Sequence, residues 1–206
     1  MKKTIAKIIA PILILAWAGG CASSSVRQDA SKSVSAPDAK SQKFPTDFRR
    51  LSLIVDDIDE SLKLYRDVLG FKVNYDAVVK MSGKALPAGE PNASARLVLL
   101  SSNDTWVGWL GLLQWVDPAL PARQDKYTRM GIGDPVLVFN TEKVDQHCSE
   151  AAKLSGIKMT APPGNTTYPA RAGGEPIVVR TCYLFDRDGY FIELNKILDR
   201  TTYNKN

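Results

Sequence analysis

Two stretches of this chain carry the same succession of apolar and polar positions. Residues 50–73, laid over residues 136–159 without a gap, match Leu51 with Leu137, Leu53 with Phe139, Ile58 with Val144, Asp59 with Asp145, Gly70 with Gly156 and Phe71 with Ile157. Every pair lies 86 positions apart. Each copy opens with an apolar run that predicts a strand, over 50–55 and 136–141. Helical spacing follows and predicts helices over 57–69 and 142–155, burying Ile58, Leu62 and Tyr65 in the first and Val144, Cys148 and Ala151 in the second. Asp57 and Glu60 have the spacing of a capping box, and Gly70 and Gly156 stand where a helix end calls for a left-handed residue. A strand comes next in both copies, 71–79 and 157–160. Two more complete each copy: 96–101 and 106–116, then 178–186 and 190–196 around the turn Asp186-Arg187-Asp188-Gly189. The chain therefore reads as α+β, with two tandem βαβββ units at about 48–117 and 133–197. They lie inside a domain over 46–199 long enough to bury its own core. Segments 81–94 and 161–176, rich in Pro and Gly, read as long loops able to cover an opening, and Tyr168 and Arg171 are the side chains of interest there.

The chain ahead of this domain has a different texture. Lys2, Lys3 and Lys7 accompany an apolar run over 8–18 that Pro11 interrupts. The run is shorter than the roughly 20 residues of a membrane-spanning helix, so it predicts a secretory signal over 1–20. Ala18-Gly19-Gly20-Cys21 resembles the bacterial lipobox, which implies acylation of Cys21, and Ala22 after it fits outer-membrane sorting. Residues 22–45, with few apolar groups, then form a flexible tether, and 200–206 form a tail. The expected location is the cell envelope, lipid-anchored at the outer membrane and facing the periplasm.

Composition and charge narrow the reading only a little. With 44% hydrophobic and 24% charged residues the chain is neither fibrous nor disordered as a whole. The formal net charge is +5, and removing Lys2, Lys3 and Lys7 with the signal leaves +2. Without a Lys/Arg stripe, that balance gives no argument for nucleic acid as a partner. Cys148 and Cys182 fall in a compartment where disulfides persist; they could pair, and two separate buried thiols is the slightly preferred reading.

The stretches LIVDDIDESLKLYRDVLGFKV and CYLFDRDGYFIELN resemble the two ends of the vicinal oxygen chelate superfamily. Its members include glyoxalase I, extradiol dioxygenases, methylmalonyl-CoA epimerase and bleomycin-resistance proteins. The resemblance covers about 47–198. It implies that the two units curl their mixed sheets into a cup, with helices outside and a divalent metal inside. Family enzymes hold that metal with His on the first strand of each unit and Glu on the last. Carried over, those positions fall on Arg50, Val136, Gly111 and Glu193, with Gln114 in place of Gly111 in an alternative register. His147, the sole histidine, lies mid-helix in the second copy and is not expected to be a ligand. A catalytic zinc normally takes three protein ligands, and one carboxylate does not suffice. The Arg50 charge at about 4 Å would oppose a dication by about 8 kcal/mol at an effective dielectric constant of about 20. The expectation is a cup without metal or other cofactor, in which Arg50 forms a charge-assisted pair with Glu193.

Strand alternation places Ser52 and Ile54 beside Arg50, Val138 and Asn140 beside Val136, Trp109, Leu113 and Trp115 beside Gly111, and Phe191 and Asn195 beside Glu193. The candidate ligand-binding set is Arg50, Ser52, Trp109, Gly111, Trp115, Asn140 and Glu193, an aromatic wall with a few polar groups suited to a small organic anion. Three functions stay open. The first is a metal-free module that binds a small molecule. The second is a lyase or isomerase resembling glyoxalase or the epimerase, with Glu193 as catalytic base. The third is a structural or interaction lipoprotein whose cup the tryptophans close. The expected partners are a small-molecule ligand and the membrane through Cys21, and the resemblance is also compatible with a homodimer.

Overall fold

A computed structural model describes residues 46–84, 86–124, 129–169 and 175–198. The signal predicted over 1–20, the lipidation expected at Cys21, the tether expected over 22–45, Arg171 and the expected tail over 200–206 lie outside those residues. No helix among the described residues is long and apolar enough to cross a membrane.

The first unit runs β1 (Arg50–Ile54), α1 (Ile58–Leu62), β2 (Lys72–Lys80), β3 (Ser94–Ser101) and β4 (Trp109–Asp117). The second repeats it as β5 (Val136–Asn140), α2 (Val144–Ala151), β6 (Lys158–Tyr168), β7 (Ile177–Phe185) and β8 (Phe191–Ile197). Each forms a four-stranded sheet, in the orders β1-β4-β3-β2 and β5-β8-β7-β6. The first strand is parallel to the last, and the other neighbours are antiparallel. Ser52 sits opposite Gly111 just as Val138 sits opposite Glu193. The predicted α+β pair of βαβββ units is thus the observed fold.

Local chemistry explains where the elements depart from expectation. Asp57 caps α1 by accepting the Glu60 N–H at 3.1 Å, while the Glu60 carboxylate pairs with Lys63 instead of completing the box. After Leu62 the helix widens into a π-helical stretch, Lys63–Val68, with the Leu69 N–H bonded to the Leu64 carbonyl. The wider turn lets the adjacent Leu64 and Tyr65 both enter the core, which the regular α-helical step would spread apart. Gly70 and Gly156 adopt φ of +78° and +82°, the left-handed helix ends their positions predicted.

Of the segment predicted as a loop over 161–176, residues 161–168 are instead strand. β6 continues to Tyr168, paired with β7 as far as Tyr168 opposite Ile177, and its register slips at Met159/Ala161 and Ala161/Gly164 absorb Pro162 and Pro163. β6 is an edge strand, where a missing N–H need not break the ladder, so the prolines were misleading as loop signals.

Both helices and the helix-facing sides of both sheets share one core, including Leu53, Ile58, Tyr65, Leu112, Leu184 and Leu194. Cys148 on the buried face of α2 meets Cys182 on β7 in a disulfide with a Cα–Cα distance of 6.5 Å. This corrects the preference for separate thiols: both cysteines point into the same core, a proximity only the folded chain creates.

The turn after β7 ties the two units together. Asp186 is buried and accepts the Tyr65 O–H at 2.7 Å and the N–H groups of Asp188 and Tyr190 at 3.0 and 2.8 Å. The Tyr190 hydroxyl accepts the Ile54 N–H at 3.1 Å and donates to the Ile54 carbonyl at 3.0 Å. Asp188 accepts the Asp56 N–H at 3.0 Å and the Ser61 hydroxyl at 3.3 Å. The Val55 N–H goes to the Leu113 carbonyl in the neighbouring β4, so by alternation the Ile54 backbone faces the free edge of β1. Tyr190 satisfies that edge with a single hydroxyl.

Burial is the largest influence on the Asp186 carboxyl and pushes it up to about 6, against the hydrogen bonds from Tyr65, Tyr190 and Asp188. The folded state therefore holds this proton more tightly than the unfolded chain does. Its contribution to stability is full below about pH 4 and falls by up to about 3 kcal/mol as pH rises to about 6. Urea titrations across that range should show the decline in the wild type and its loss in Asp186→Asn, whose amide oxygen can still accept the Asp188 and Tyr190 N–H groups while its NH2 donates to the Tyr65 oxygen in a reversed bond. Tyr190→Phe should lower stability by about 1 kcal/mol, measured by the same method at neutral pH. Replacing both Cys148 and Cys182 by Ala should cost about 3–4 kcal/mol, given the 34 residues that separate them.

Candidate functional site

The positions that correspond to metal ligands lie on the faces of the two sheets turned away from the helices. Gly111 faces that side: a Cβ placed on it would stand 2.5 Å from the Ser52 hydroxyl and 3.4 Å from Cδ of Arg50. Gln114 points the other way, accepting the Ile58 N–H at the start of α1 at 3.0 Å. The Gly111 register is therefore the observed one. Ser52 occupies the room that any side chain at 111 would need. Arg50 and Val136, at the two histidine positions, are exposed, and Glu193 is partly buried. Among the described residues no three His, Cys, Asp or Glu side chains gather where they could hold a metal. A divalent metal does not fit this donor set, since an arginine, a valine and a sterically blocked glycine stand beside one glutamate.

The expected pair between Arg50 and Glu193 does not form, and among the described residues Arg50 joins no ion pair. The two belong to different sheets, and Glu193 takes partners within its own. Asn195 donates to its carboxylate at 3.1 Å and also accepts from Asn140 at 3.2 Å. Tyr183 lies opposite Glu193 on β7, and the Tyr168 phenol hydrogen-bonds Tyr183. Burial first, then the Glu193 charge and the bond to Tyr183, push the Tyr168 phenol up, so it remains protonated at neutral pH. Tyr168 pairs with Ile177 in the ladder, and its phenol lies near enough to Tyr183 and Glu193 to feel both. Tyr183 was legible in principle, since it stands at an odd position of β7 together with Thr181, opposite the face of Cys182. The predicted set omitted it because its ladder partner depends on register.

The predicted aromatic wall is committed elsewhere. Trp115 is buried among Ala93, Ala95 and Leu113 under the segment that follows β2, where Met81 and Ala88 pack on it. Gly89 in that segment has φ of +67°, and a Cβ there would overlap the Trp115 indole. The segment over 81–94, expected to cover an opening, is instead seated on Trp115 through Met81, Ala88 and Gly89. Trp109 stacks with Arg49, whose guanidinium lies 4.3 Å from its ring centre and 4.2 Å from that of Trp106, and its indole N–H donates to the Asp104 carbonyl at 3.2 Å. Trp115 is therefore mostly taken up by packing, with an edge on a cavity of about 300 Å3 that Ile54 and Leu120 also line, whereas Trp109 keeps one side toward open space.

That space is a cavity of about 840 Å3 along the free edge of β5. Its walls include Phe48, Trp109 and Gly108 of the first unit and Val138, Asn140 and His147 of the second. His147 is hydrogen-bonded through Nδ1 to the Thr141 hydroxyl at 3.1 Å. Burial, and to a lesser degree Lys143, hold its imidazole below the usual range against the pull of Glu150, so it is neutral at pH 7.

Comparisons with known proteins agree with this architecture. The model of the Glyoxalase/Bleomycin resistance protein/Dioxygenase superfamily matches residues 48–194. A glyoxalase-family protein from Bacillus cereus superposes with a TM-score of 0.58 at 16% identity, over 78% of this chain and all of that one. The trypanothione-dependent glyoxalase I of Leishmania major gives a TM-score of 0.43 at 20% identity, over 72% of this chain and 85% of that one. A fosfomycin resistance protein from Mesorhizobium loti gives 0.43 at 17% identity, over 75% and 93%. A search of curated proteins found no match. The matched span takes in both units from Phe48 before β1 to Leu194 in β8, and the chain belongs to the glyoxalase/bleomycin resistance protein/dioxygenase superfamily.

Proposed function

We propose that this protein is a binding module for a small organic anion, held in the cell envelope by a lipid on Cys21 and raised from the outer membrane by residues 22–45. The observation that carries the binding reading is the substitution of the metal seat. Ser52 fills the place of a side chain at Gly111, and the neighbouring Arg50 keeps an exposed guanidinium without an ion-pair partner among the described residues. A guanidinium presents a planar fork of donors that matches a carboxylate, and such bonds are stronger than neutral ones. On the other sheet, Glu193, Asn195, Asn140 and the protonated Tyr168 offer acceptors and donors for the polar remainder of the ligand. The lipid-anchored placement rests on the lipobox-like sequence around Cys21 and on the apolar-poor stretch that follows it.

A calorimetric screen of aliphatic and aromatic carboxylates against the full-length protein should yield a ligand whose affinity falls about 10- to 100-fold in Arg50→Ala, the range for a charge-assisted hydrogen bond. Unchanged affinity in that variant for every carboxylate that binds would refute the anion reading. Cys21→Ala should move the protein from the membrane fraction to the soluble envelope fraction, with loss of the acyl mass in intact-protein mass spectrometry.

A further inference from the structure

The two units are related by internal repetition, but their contacts with each other are not equivalent. Ile54 at the end of β1 corresponds to Asn140 at the end of β5, and Tyr190 just before β8 corresponds to Gly108 just before β4. At one end of the domain, Tyr190 reaches across to the free edge of β1 and bridges the N–H and carbonyl of Ile54 with its hydroxyl. At the other end the corresponding residue has no side chain. The Thr141 N–H goes to Asn195 of the neighbouring β8, so the Asn140 N–H and carbonyl turn, like those of Ile54, toward the free edge. Among the described residues no hydrogen bond takes them up, and the cavity of about 840 Å3 lies there, lined by both Gly108 and Asn140.

We infer that this cavity binds a neutral phenolic small molecule, whose hydroxyl bridges the Asn140 N–H and carbonyl as the Tyr190 hydroxyl bridges those of Ile54. The protein's own tyrosine thus supplies the template for the ligand. Phe48, Phe71, Leu69 and Trp109 give the apolar and aromatic surface that a ring needs. The charge balance favours a neutral ligand. Among the lining residues, Glu142 carries a charge that Lys196 already pairs at 3.0 Å, and His147 is held neutral by burial. The inference does not rest on Arg50 or Glu193, neither of which lines this cavity.

The probe is 4-methylphenol, the side-chain analogue of tyrosine, titrated into the full-length protein and followed by amide NMR and tryptophan fluorescence. Saturable binding is expected, with the Asn140 and Gly108 amides shifted and an affinity about tenfold above that of toluene, which lacks the hydroxyl. Val138→Trp places bulk on an exposed position of the cavity wall and should abolish binding while the thermal midpoint holds. If that variant misfolds, Val136→Trp, the next exposed side chain on the same face of β5, serves instead. Equal affinity for toluene and 4-methylphenol, shifts centred on Glu193 instead of Asn140, binding that survives a folded edge variant, or no saturable binding up to the solubility limit would each overturn the assignment.

Discussion

The structure depends on a buried carboxyl group, Asp186, at the turn that joins the second unit to the first. It gathers the Tyr65 hydroxyl from the π-helical stretch after α1 and two backbone N–H groups of its own turn. By fixing that turn it aims Tyr190 and Asp188 at the edge of β1. A carboxyl in an apolar setting is costly unless its hydrogen bonds are met, and here most of them are met within a few residues. The cost concentrates in one place the registration of two units that otherwise meet through non-directional apolar packing.

The same economy of contacts shapes the face that carries Gly111 and Glu193. Ser52 and Gly111 are ladder partners, and the serine hydroxyl stands where a side chain at 111 would begin. A carboxylate at 111 would thus require Ser52 to move as well. Arg50 stands next to them with its side chain exposed. Glu193 remains on the second sheet, surrounded by amide and phenol groups rather than by other ligands.

Asymmetry between the two ends follows from one pair of equivalent positions. Tyrosine at 190 bridges the edge of β1 beside a cavity of about 300 Å3, and glycine at 108 leaves the edge of β5 unbridged beside the one of about 840 Å3. Neighbouring residues diverge accordingly: Ser61, bonded to the turn through Asp188, corresponds to His147, which lines the open cavity. Duplication gives a fold two chances to build the same contact, and here one copy builds it while the other leaves space.

The sequence by itself determined the element order, the repeat, the capping of α1 by Asp57 and the glycine helix ends, because each depends on residues within a turn or two of one another. It also determined that the metal donors are missing at Arg50 and Val136, because those identities need no geometry. The tertiary structure alone decided the Cys148–Cys182 bond, the burial of Trp115 beneath Gly89, the extension of β6 past its prolines and the separation of Arg50 from Glu193. In each of these the partners are far apart in the chain or on different sheets. Period and propensity say which face a side chain takes, but the contact it makes there is set by register and by how the two sheets curl, and neither is encoded in any single stretch of residues.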